Sequence, residues 1–215
     1  MTLTTTSQMG GKNSDSISYI TYLSKIIAKK QWSSLRKHIS TSSAYLILFE
    51  NNDSLLHQVC KYQPPLSLVN YMVQTNPKLL SMTNSFGHSP LHVAIQNAAS
   101  PDIIDFLCTS SPEMPGMKDH MGKTPLHMAC ESYSKSRSKS KSKIDFRSNK
   151  KGLRKIIESL IEYSPTTVNL EDVGGITAIE YALDTNTDIK TIHMIQRASQ
   201  SEWKRKDNCR KNINV

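Results

Sequence analysis

The sequence repeats itself, and that feature limits the fold more than any other. Four segments align: Ser54-Leu55-Leu56-His57-Gln58-Val59-Cys60, Ser89-Pro90-Leu91-His92-Val93-Ala94-Ile95, Thr124-Pro125-Leu126-His127-Met128-Ala129-Cys130 and Thr177-Ala178-Ile179-Glu180-Tyr181-Ala182-Leu183. Leu56, Leu91 and Leu126 stand 35 residues apart, and Ile179 follows 53 later. A second register agrees: Val69, Ile104, Ile157 and Ile192 are separated by 35, 53 and 35. Pro77, Pro112 and Pro165 keep the same 35 and 53. A period of this length describes one supersecondary unit that cannot bury its apolar side alone and must stack on copies of itself. The extra length falls inside the third unit, at Ser132–Lys151.

Local chemistry assigns each unit two helices. Ser89, Thr124 and Thr177 place a hydroxyl where a first helix begins. Pro90 and Pro125 follow at the first helical position, where a missing N–H costs nothing. Gly87, Gly122 and Gly175 precede the cap by two residues and suit a turn with positive φ, with Asn52 at that slot in the first unit. Leu91 with Ala94, and Leu126 with Ala129, share one face of the first helix. Ile103, Ile104 and Leu107, then Ile156, Ile157, Leu160 and Ile161, form apolar stripes on the second helices. Upstream, Ile17–Ala28 and Gln31–Ile39 read as two further short helices.

The pattern resembles the ankyrin repeat, whose signature is Thr-Pro-Leu-His-x-Ala. The resemblance spans about Asn51 to Ala198, strongest in the second and third units. It implies an all-α fold, a solenoid of stacked helix-turn-helix units joined by hairpin-like loops. The organisation expected is a disordered N-terminus at 1–15, a degenerate capping helix pair at 16–50 and repeats at 51–198. The repeats carry a basic Ser/Lys-rich insertion at 132–151, and a basic tail follows at 199–215. Disorder is expected through most of the insertion and after Ser201. Met1 and the degenerate end units favour a complete chain.

The 215 residues carry a net charge of +9. Tyr133 to Lys151 holds eight Lys/Arg against one acid, and Arg197 to Val215 holds six against two, so the remainder is slightly acidic. In the insertion, Lys135, Arg137, Lys139, Lys141 and Lys143 alternate with serine; in the tail, Lys204-Arg205-Lys206 follow Trp203. One reading is a solvated loop expansion and a frayed terminus. The other is a polyanion-binding surface for nucleic acid or an acidic protein, or a nuclear-localisation signal, with serine phosphorylation as a charge switch. No apolar run is long enough for a membrane span and no secretory signal is read, so the expectation is an intracellular protein, cytoplasmic or nuclear, and monomeric.

His57, His92 and His127 recur in register, but equivalent residues of stacked units lie about 10 Å apart, too far to share a metal ion. Each is expected to hydrogen-bond backbone in its own turn. Cys60, Cys108 and Cys130 fall at apolar slots and are expected to pack. No nucleophile elbow, phosphate-cradling loop or His-Glu-x-x-His motif occurs, so no catalytic residue, cofactor or metal is assigned.

The resemblance further implies that a protein partner binds a concave face of loop tips and first helices. Carried onto this chain, the tips are Ser85, Phe86 and His88; His120, Met121 and Lys123; and Val173 and Ile176. Gln58, Gln96, Met128, Glu131 and Tyr181 are the candidates on first helices, with Met128 and Tyr181 as readily packing between units. Phe86 and Met121 are equivalent positions, and large apolar tips point to a bound partner.

Overall fold

The computed structural model describes residues 10–41, 47–132, 150–185 and 187–213. Ten α-helices follow in order among them: α1 Gly10–Ala28, α2 Trp32–Thr41, α3 Leu55–Cys60, α4 Leu66–Thr75, α5 Pro90–Gln96, α6 Pro101–Ser110, α7 Pro125–Ser132, α8 Lys150–Tyr163, α9 Ala178–Asp184 and α10 Ile189–Ile213. Among the described residues there is no strand, only an isolated bridge between Glu171 and Thr177. The fold is an all-α solenoid. First helices stack as α3, α5, α7 and α9, and second helices as α4, α6, α8 and α10. At the front end α1 packs on α3 and α2 on α4.

One core runs the length of the stack. Leu56, Leu91 and Leu126 are wholly buried, as are Val69, Ile104 and Ile157 in the second register. Burying each such side chain contributes about 2–3 kcal/mol. Ala94, Ala129 and Ala182 are also fully buried and let neighbouring helices approach. Cys60, Cys108 and Cys130 pack in this core, and burial pushes each thiol up to about 12. Each of the first three repeats ends its second helix in a short 3₁₀ turn, at Pro77–Leu80, Met114–Gly116 and Pro165–Asn169.

Three boundaries differ from the sequence reading. Helix α1 begins at Gly10, within the stretch expected to be disordered before Ser16. Once Leu23, Ile26 and Ile27 anchor the helix in the core, each further residue adds one hydrogen bond without a new nucleation cost. Helix α10 continues to Ile213, where disorder was expected after Ser201. Its extension is tied down by Glu202, which is buried and accepts hydrogen bonds from Arg205 Nε and Nη2 at 3.3 and 2.8 Å. Helix α8 starts at Lys150, so the last two residues assigned to the insertion are helical. Residues 133–149, with Lys135, Arg137, Lys139, Lys141 and Lys143, lie outside the described residues, as do residues 1–9.

Candidate functional site

One side of the stack carries four turns, each followed by a first helix. Three of the turns share one design. Asn84 Oδ1 accepts from the N–H groups of Phe86 and His88, both at 3.0 Å. Asp119 Oδ1 does the same for Met121 and Lys123 at 2.9 and 2.8 Å, and Asp172 Oδ1 for Gly174 and Ile176 at 2.8 and 3.0 Å. A side-chain oxygen that gathers two N–H groups closes the turn locally. The glycine in each turn, Gly87, Gly122 and Gly175, has φ between 74° and 77°. In the first repeat Asn51 and Asn52 take positive φ instead.

Successive tips are hydrogen-bonded to one another. Asn51 O accepts from Ser85 N at 2.8 Å, Phe86 O from His120 N at 3.0 Å and Met121 O from Val173 N at 2.9 Å. The approach leaves no room beside two of the glycines. A Cβ on Gly87 would meet His120 N at 2.8 Å, and one on Gly122 would meet Val173 N at 2.9 Å. The tip side chains therefore project from a fixed backbone: Phe86 is 52% exposed, Met121 60% and Val173 72%.

Behind the tips, the repeated histidines lock each repeat to the next. Nδ1 of His57, His92 and His127 accepts from the N–H of its own cap residue, Ser54, Ser89 and Thr124, at 3.1–3.2 Å. The same three hydroxyls lie 2.7–2.8 Å from Nδ1. With Nδ1 accepting, Nε2 carries the proton. It donates to a carbonyl of the following repeat, His88, Lys123 and Leu170, at 2.9, 3.2 and 3.0 Å. The ring bonds in its own turn, as the sequence suggested, and also across to the next repeat, which the sequence did not suggest. Burial lowers all three pKa values, that of His92 to about 4. In the fourth repeat Glu180 takes over the cap, accepting from Thr177 N and Oγ1 at 2.7 Å each. Among the described residues no group of three His, Cys, Asp or Glu side chains is arranged to hold a metal ion.

The structure brings most of the candidate residues to one side, but several are already engaged. Gln58 Nε2 donates to Asp53 Oδ2 at 3.1 Å. Asp53, 1% exposed, also accepts from Asn84 Nδ2 at 2.9 Å and pairs with Lys61. Phe86, His88 and Gln96 line a shallow pocket of about 270 Å³ with Asp53 and Lys61. His88 is half-buried, 3.4 Å from Asp119 Oδ2, and burial lowers its pKa. Ser85 and His120 are exposed. Lys123 bonds Glu131 Oε2 at 3.0 Å and sits 4.6 Å above the Tyr181 ring. Tyr181 donates to Asp172 Oδ2 at 2.7 Å. Ile176 is 38% exposed. Met128 departs from the candidate set: at 6% exposed it packs in the core and offers nothing to a partner. Asp53, Asn84, Asp119 and Asp172 were not foreseen. Their signal was present, since Asn84, Asp119 and Asp172 keep the 35 and 53 spacing and each stands three residues before the turn glycine.

The second candidate surface, the basic tail, lies on α10. Lys204 and Lys206 are exposed, Lys206 lies 5.9 Å from the Trp203 ring centroid, and Arg205 is tied to Glu202. No helix among the described residues is long and apolar enough to cross a membrane.

The family profile described as ankyrin repeats matches residues 46–138 in three copies. No curated protein matches the chain.

Proposed function

This chain is an ankyrin-repeat protein, and from that premise we infer that it is a non-catalytic adaptor that binds a protein partner along its concave face. Repeats of this family generally mediate protein–protein interaction. The observation that carries the reading is the row of apolar side chains, Phe86, Met121 and Val173, held out on tips whose backbones are hydrogen-bonded to each other. Apolar groups fixed in solvent have no role in folding, and a preorganised row loses little conformational entropy on binding. Phe86 and Met121 are the central anchors, with Ser85, His88, Gln96, His120, Glu131 and Ile176 as the surrounding contacts. The site is an intracellular one, cytoplasmic or nuclear.

The test is affinity capture with the wild type and a Phe86→Ala/Met121→Ala variant of equal helical content. Loss of the captured protein in the variant supports the reading. Unchanged recovery rejects these anchors.

A second reading is favoured by the helical state of the tail. Lys190, Arg197 and Lys204 are exposed and seven residues apart on α10, so they form one cationic row. Through this row and the insertion the chain binds nucleic acid or an acidic protein. That binding weakens steeply with salt and falls on deletion of residues 133–149, whereas binding through apolar tips does neither.

A further inference from the structure

The last repeat keeps a surface that every earlier repeat covers. Cys60, Ile95 and Cys130 are at most 2% exposed because the following repeat lies on them, yet Leu183, their equivalent, is 53% exposed. Ile179 is only partly buried where Leu56, Leu91 and Leu126 are wholly buried. Gly175 has nothing within 4 Å of a built Cβ, where Gly87 and Gly122 are pressed by the next tip. The outer flank of α10 joins this surface. Gln196 is exposed at the register where Cys108 is buried. Asp105, equivalent to His193, accepts from Tyr163 of the following repeat at 3.0 Å, so that register too faces forward along the stack.

Along α10 this flank reads Ile189, His193, Gln196, Gln200 and Trp203, all exposed and spaced by four, three, four and three residues. That is the spacing of a helix seam that packs against another helix. Ile189 is 63% and Trp203 55% exposed. One edge of the seam is the cationic row Lys190, Arg197 and Lys204; on the other edge stands α9, with exposed Glu180 and Asp184.

We propose that this end face binds a second copy of the chain about a two-fold axis running along α10. Such an axis sets the seam against itself and exchanges the two edges. Each cationic row then faces the α9 carboxylates of the other copy. Asp184 ends α9 near the start of α10, level with Lys190, and Glu180 stands a turn further along, toward Arg197. The occupant continues the interface already made between repeats in this stack, with the same α9 and α10 registers covered. The self-complementary charge pattern selects a second copy as that occupant. Self-association departs from the monomer expected from the sequence alone. It is independent of the concave-face reading.

The experiment is sedimentation equilibrium of the full chain across micromolar concentrations, with helical content checked for each variant. The wild type is expected to reach twice the chain mass. Gln196→Lys, at an exposed position, sets like charges against each other at the middle of the seam and is expected to give single chains. Lys190→Asp is expected to weaken association about tenfold, and adding Asp184→Lys to restore it, because exchanging both partners keeps the pairing. A wild type that stays at one chain mass overturns the proposal, as does self-association that Gln196→Lys leaves unchanged. Failure of Asp184→Lys to rescue Lys190→Asp overturns the assigned two-fold axis.

Discussion

At His57, His92 and His127 one ring satisfies two buried backbone groups, an N–H of its own cap and a carbonyl of the next repeat. It does so only while neutral, because a proton on Nδ1 would face an N–H donor. The folded pKa of His92, about 4, lies below the ordinary 6.5, so the unfolded chain takes up this proton first. Stability from His92 is therefore complete above pH 6.5 and is lost as pH falls toward 4, by about 3 kcal/mol. Urea denaturation between pH 7 and pH 4.5 should show the loss, and His92→Gln should reduce its slope. His92→Ala at pH 7 should cost about 2 kcal/mol, since Ser89 N–H is left buried without a partner and Lys123 O keeps only its bond from Asp119 N. The glycines give a second comparison at this scale. Gly175→Ala should cost about 1 kcal/mol, the penalty of a positive φ alone. Gly122→Ala should cost more than twice that, because its Cβ would also collide with Val173 N. Equal midpoints for the two variants in thermal melts would contradict the tip-to-tip packing.

Among the elements, the turns show how a sequence can be legible in outline and incomplete in detail. The glycines and cap hydroxyls locate each turn, because their conformational demands are local. The aspartate or asparagine that closes the turn repeats just as regularly, but those residue types are frequent in any polar loop, so periodicity alone did not single it out. Asp119→Ala removes the acceptor for Met121 N and Lys123 N and should cost about 2 kcal/mol. It should also weaken partner capture through a loosened Met121, even at a temperature where the fold is intact. Helix α10 was the harder element. Apart from Trp203, its last turns expose almost only polar side chains, and composition of that kind reads as disorder. What holds them is contact that sequence does not reveal: Ser199 with Asn169 through Oγ–Oδ1 at 2.5 Å, and Glu202 buried with Arg205 beside it.

For the molecule as a whole, the repeat period dictated the stack, because units that each leave an apolar side open can close it only on one another. The period could not tell which side chains at a given register end up covered, since that depends on whether another repeat follows. Leu183 shows the consequence, a core-type residue left in solvent on the last repeat. The same asymmetry governs stability. Leu91 and Leu126 sit between two neighbours and are wholly buried, so Leu91→Ala and Leu126→Ala should each cost about 3 kcal/mol. Ile179→Ala, at the same register but with one neighbour, should cost about 1 kcal/mol under conditions where the chain is monomeric. Urea titrations of the three variants separate a stack coupled through nearest-neighbour interfaces from a uniform globule. In a stack the terminal variant stays close to wild type while the two central variants lose stability together. In a globule all three would fall by similar amounts.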